Sequence, residues 1–226
     1  VNSYTNLSST GIYAISAFFG ILLLKPSVAL YKVSSVVLAD SWKTNSKNTI
    51  FSIYYKSCLN QFVFGFLILI IIWANIDNIY SYYDMEYRAG KYVVLLSCLA
   101  NLIKMASGTS AMIIQTSNRY KYLTYMNFIS IVIFVVTNIL LIPRYGITGA
   151  GYALLIQKSF AFAFRFIVIK YYFNMQPYDL KFLLTIVIGL IAYLFSYYFF
   201  PSLDNYIYDI IYRSAIISVI YIFLSF

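Results

Sequence analysis

Long apolar runs, cut by short clusters of charge and turn residues, set the pattern of this chain. Crossing a bilayer as a helix takes about 20 predominantly apolar residues. Seven runs come near that length and predict helices at about 11–40, 57–76, 91–118, 122–143, 147–172, 180–200 and 207–226. The polar stretches between them are brief. The first, 43–56, carries Lys43, Lys47 and Lys56 and reads as a connector. Residues 77–91 hold Asp77, Asp84, Glu86, Arg88 and Lys91. A basic turn covers 118–121, Pro177 breaks the segment 174–181, and 201–209 is a loop. Fully helical, 11–39 would measure about 44 Å, longer than a hydrocarbon core, and Pro26 is placed to kink it.

The hinge between the fourth and fifth runs has the most specific chemistry. In NILLIPRYGITGAG, residues 138–151, an apolar run stops at Pro143, four residues of turn chemistry follow, and the next run opens on small residues. Pro143 has no amide hydrogen, so it sits best where helical bonding is ending, and Gly146 can take positive φ. Gly149, Ala150, Gly151 and Ala153 leave a bare first turn that another helix can approach closely. The pattern predicts a tight hairpin between two membrane helices, with Pro143, Gly146, Gly149 and Gly151 as its structural and hinge residues.

Composition supports the same class. Hydrophobic residues are 62% and charged residues 10%, with a mean hydropathy of +0.79. Soluble domains carry about 25% charged residues. The fold class is therefore an all-α integral membrane bundle of about seven transmembrane helices. With no His and only Cys58 and Cys98, neither a metal site nor a cofactor is expected. The segment 146–151 lies between helices rather than after a strand, so it is not a dinucleotide fingerprint. No nucleophile–base pair, phosphate-binding loop or basic nucleic-acid motif stands out, and an enzyme is disfavoured. The chain opens on Val1 and closes on Phe226 within an apolar run. It reads as a piece of a longer transporter, without a basic leader.

Lysine and arginine in the loops orient the chain. With 43–56 cytoplasmic, Lys43, Lys47, Lys56, Arg119, Lys121, Lys170 and Lys181 face inward, and Arg88, Lys91, Arg144 and Arg213 face outward. Five cations remain inside the spans: Lys25, Lys32, Lys104, Lys158 and Arg165. A charged side chain at bilayer centre costs about 2.5–3.5 kcal/mol on insertion scales, so such groups tend to face a bundle interior or a wet cavity. By helical rise, Lys158 lies roughly 13 Å in from Gly149, and Lys25 and Lys104 roughly 20 Å from their outer helix ends. Lys32 and Arg165 come near the inner boundary, where snorkelling to headgroups is an equal alternative. Lys25 and Lys32 are spaced to share a helix face, as are Lys158 and Arg165. For Lys25, Lys104 and Lys158 the structural alternative is pairing to a helix end or to the missing half of the transporter. If they instead line a cavity, it suits a phosphate or a carboxylate.

The hairpin at 138–151 resembles the N-x-LLIP-x-YGI-x-GAA hairpin of bacterial polysaccharide-biosynthesis flippases, within the multidrug/oligosaccharidyl-lipid/polysaccharide exporter superfamily. Weaker pieces follow in the same order: TGIYA at 10–14, the segment 34–42, YYKS at 54–57, GKYV at 90–93, and Gln176-Pro177. The likeness covers about residues 9–180 and departs at Gly151, where Ala is commoner. It implies a C-terminal half of a transporter with two pseudo-symmetric bundles, partnered by an N-terminal half of the same chain. The implied cargo is an undecaprenyl-diphosphate-linked glycan, moved across the bacterial cytoplasmic (inner) membrane, among membrane lipids and other polysaccharide-assembly proteins. Alternatives are a drug or metabolite exporter of the superfamily, a lipid II flippase, and more remotely a membrane glycan polymerase or ligase.

Overall fold

The structure is a computed structural model that describes residues 7–44, 46–199, 203 and 205–225. Nine α-helices and one 3-10 helix follow in order, with no strand among the described residues. They are α1 (Leu7–Leu23), α2 (Lys25–Lys43), α3 (Lys47–Tyr80), the 3-10 helix (Met85–Gly90), α4 (Lys91–Ala106), α5 (Ser110–Thr116), α6 (Lys121–Tyr145), α7 (Ile147–Phe173), α8 (Leu180–Phe199) and α9 (Tyr206–Ser225). Six helices are long and apolar enough to cross a membrane, or up to seven if α1 and α2 form one bent span. The chain is a multi-pass membrane protein.

Helix α3 is the spine. It packs on α2, α4, α8 and α9. Its buried residues Ile50, Tyr54, Cys58, Phe62, Phe66 and Ile70 repeat every four positions, which lays one continuous stripe along the helix. The segment 43–56 was expected to be a connector and is not one: α3 begins at Lys47 and runs for 34 residues, about 51 Å at the helical rise. Lys47 and Lys56 are exposed while Ile50 and Tyr54 are buried, so this polar stretch is an amphipathic first turn set of the same helix.

Two expected single spans are broken. The first splits at Leu24, and α1 and α2 meet at 47°. Pro26 sits in the first turn of α2, where its missing amide leaves nothing unpaired, so it bends the span as expected. The span expected at 91–118 breaks at Ser107, Gly108 and Thr109, where Gly108 takes φ +49. That break was not anticipated. Its physical basis is the run Ser107-Gly108-Thr109-Ser110, four residues poor at holding a helix interior, one of them free to adopt positive φ.

The hairpin is tighter than expected. Helix α6 continues through Pro143 to Tyr145, and Gly146 alone separates it from α7. Gly146 has φ +57 and ψ −137, and its amide bonds the Ile142 carbonyl at 2.8 Å. Pro143 therefore stands inside the last turn of α6 rather than after its end. At the far end of α7, Asn174 terminates the helix in the left-handed conformation, three residues before Pro177.

Helix α9 is fixed to α3 by polar contacts. Asp209, 2% exposed, accepts from Arg213 Nε at 2.7 Å, Asn78 Nδ2 at 2.5 Å and the Leu203 amide at 3.0 Å. Farther along, Asn75 donates to Ser214 and Tyr221 to the Val63 carbonyl. Helix α6 lies at the periphery on α7, and its exposed Phe128, Ile131 and Leu140 are what acyl chains would meet. The expected helix ends at 200 and 226, and part of the expected loop 201–209, fall outside the described residues.

Candidate functional site

The first helix break opens onto a pocket of about 260 Å³, and α4 contributes its lining up to Met105, shortly before the second break. Lys25, the first residue of α2, lines it beside the first break. Lys104, in the last turn of α4, lines it just before the second. Apolar walls come from Ile21, Leu24, Val28 and Met105, and polar ones from Ser27, Tyr31 and Gln61. Two of the five intramembrane cations, drawn from separate helices, thus share one space.

The other three are placed differently. Lys158 on α7 is half-buried and feels the charges of Lys104 and Arg165, yet it does not line the cavity. Lys32 is exposed and lies outside the cavity, so the Lys25–Lys32 ladder does not extend into it. Arg165 binds the second break itself. Its Nη2 donates to Ser107 Oγ at 3.0 Å, at the C-terminal end of α4, where a cation is favoured by the helix dipole. Arg165 neither snorkels nor shares the cavity with Lys25 and Lys104.

Residues from four elements converge on this break. Tyr31 of α2 donates to the Gly108 carbonyl at 2.9 Å, and Tyr178 of the α7–α8 connector to the Ala106 carbonyl at 3.2 Å. Ser57 of α3 accepts from the Thr109 amide at 3.1 Å. Breaking a helix strands carbonyls and amides in a medium without water, so each must find a substitute partner. Here two phenols and a hydroxyl supply them, and the Arg165 guanidinium adds a side-chain contact to the Ser107 hydroxyl.

Neither Tyr31, Ser27 nor Gln61 stood out from the sequence. Gln61 carried a signal all the same, as an amide inside the uncharged run 57–76. Tyr31 was masked by the abundance of Tyr, 25 in the chain. The hairpin residues lie apart from the cavity lining. A Cβ built on Gly149 would fall 2.3 Å from the Leu141 carbonyl oxygen, and one on Gly151 3.0 Å from Leu96 of α4. The small residues thus seat α7 against both α6 and α4.

Fold and site together define a multi-pass helical membrane protein with a partly exposed pocket, bearing Lys25 and Lys104, beside its broken helices. No protein-family model, curated protein or solved structure matches the chain.

Proposed function

We propose that this protein is a flippase, or the larger part of one bundle of it, that carries undecaprenyl-diphosphate-linked oligosaccharides across the bacterial cytoplasmic membrane for polysaccharide assembly. The observation that carries the reading is the pair Lys25 and Lys104, presented by two helices to one cavity at the level of two helix breaks. A diphosphate is too costly to move bare through hydrocarbon, and ammoniums lining a pocket along its path lower that cost. Broken helices are how transporters place binding groups at membrane depth. The resemblance of 138–151 to the flippase hairpin supplies the cargo class. With the cell interior negative, outward movement of negative charge is downhill by about 2.3 kcal/mol per charge per 100 mV.

The test is transport of a fluorescent polyprenyl-diphosphate sugar in proteoliposomes, with Lys25→Gln, Lys104→Gln and Lys158→Gln introduced singly. Losing one charge-assisted contact of about 1.5–3 kcal/mol slows the carrier by roughly tenfold or more. Full activity in all three variants overturns the proposal. In cells lacking the protein, lipid-linked repeat units accumulate; drug hypersensitivity with normal glycan would point instead to an exporter.

A further inference from the structure

We infer that Gln61 and Ser27 are ligand-contacting residues of the cavity, and that they select hydroxyl groups next to the anion that Lys25 and Lys104 hold. The inference rests on reading the cavity as an anion site. Gln61 is 1% exposed and Ser27 4%. Both amide atoms of Gln61 and the Ser27 hydroxyl are buried without a hydrogen-bond partner. All of them belong to side chains that line the one cavity. A buried amide left unpaired is costly, and orphaned polar atoms converging on a single space have a simple account: a ligand completes them.

The chemistry of these groups narrows the ligand. Lysine ammoniums donate and cannot accept, and Gln61 Nε2 also only donates. Tyr31 spends its proton on the Gly108 carbonyl, so its remaining capacity toward the cavity is as an acceptor. Gln61 Oε1 accepts as well. A bare phosphate diester or diphosphate presents acceptors only and leaves Oε1 and the Tyr31 oxygen unsatisfied. A glycosyl phosphate brings anionic oxygens for the lysines together with hydroxyl protons for these acceptors. Lys104 and Met105, which line the same pocket, are unbranched chains that can move aside at little cost and open the amide to a ligand.

The experiment is a titration of the nanodisc-reconstituted protein with methyl phosphate and with glucose 1-phosphate. These probes share a phosphate monoester and differ in their ring hydroxyls. Wild type is expected to prefer glucose 1-phosphate, and Gln61→Leu and Ser27→Ala each to cut that preference roughly three- to tenfold, one hydrogen bond's worth. Methyl phosphate affinity stays unchanged in both, whereas Lys104→Gln weakens both probes. Thermal midpoints are read in parallel, and Gln61→Leu should melt no lower than wild type, since it removes an unpaired buried amide. If wild type binds both probes equally, or the variants leave the preference intact, the inference is overturned while the anion site stands. A Gln61→Leu midpoint well below wild type with unchanged preference also overturns it, by showing an amide paired to structural water. If neither probe binds, the anion reading itself falls and takes this inference with it.

Discussion

Gly149→Ala is a sharp test of how the hairpin holds two helices together. A Cβ at this position would lie 2.3 Å from the Leu141 oxygen, 2.6 Å from its carbonyl carbon and 2.9 Å from the Ile142 nitrogen. All three are backbone atoms, so no rotamer change relieves the contact. Helices α6 and α7 would have to part by about 1 Å, and a turn of one residue resists that. Overpacking of this kind costs about 3 kcal/mol at the upper end of its usual range. Alanine returns about 1 kcal/mol in helix propensity. The net loss is about 2 kcal/mol, or about 4–8 °C in thermal midpoint for a chain of this length. Gly146→Ala should fall by a similar amount for a different reason. Its Cβ meets nothing within 4 Å, but φ +57 with ψ −137 is a region that L residues hold only under strain. Gly146→Asn should not recover the loss, because that ψ lies outside the left-handed well Asn tolerates. Tryptophan fluorescence during a thermal ramp in detergent measures all three. A Gly149→Ala midpoint within about 1 °C of wild type would refute the close-approach argument.

Asp209→Leu strands the nearly buried Arg213 guanidinium and should cost about 3–5 kcal/mol, most of it restored in the Asp209→Leu/Arg213→Leu double variant; thermal midpoints of the three proteins check this. Tyr178→Phe and Tyr31→Phe each remove the donor to a carbonyl at the second break and should cost about 1 kcal/mol, with raised proteolysis or hydrogen exchange confined to 104–112. In hydrogen exchange, amides of 51–56 should be protected as a continuation of α3; free exchange there would return the segment to a connector.

Apolar length carried most of the architecture, because a membrane leaves a chain few ways to satisfy its backbone. Six spans, or the expected seven if the bent α1–α2 pair is one of them, the bend near Pro26 and the positive φ at Gly146 were legible. The start of α3 was missed for a physical reason. Lys47, Asn48, Ser52 and Lys56 lower the mean hydropathy of 47–56, and a length-and-hydropathy reading sees only the mean. The period was present: Ile50, Tyr54 and Cys58 fall four apart and are buried together. The break at 107–109 was hidden by the opposite error, since small polar residues do not dent an apolar run enough to show. The five cations were legible as residues inside spans, but their partners were not. Whether Arg165 met headgroups, a cavity or a helix end depended on where Ser107 would lie, and that follows only from the break.

The two lysines on the cavity are not equivalent, because the breaks give them opposite helix ends. Lys25 opens α2, so its ammonium adds to the partial positive charge of that helix end, although Pro26 offers no amide and the Ser27 amide is bonded to the Leu24 carbonyl. Lys104 closes α4, where the carbonyl ends carry partial negative charge and Arg165 already sits nearby. An anion entering the cavity therefore meets reinforced potential on the α2 side and partly compensated potential on the α4 side. Lys104 in turn is held by its helix end when the cavity is empty, against the repulsion of Lys158 and Arg165. Removing the charge at Lys25 should weaken anion binding more than removing it at Lys104. A helix terminus is worth about 0.3–1 kcal/mol to a charge, which sets the difference at roughly two- to fivefold. The comparison is Lys25→Gln against Lys104→Gln in one phosphate titration. Equal losses would mean that water in the cavity screens the helix ends, and that the breaks place the lysines without tuning them.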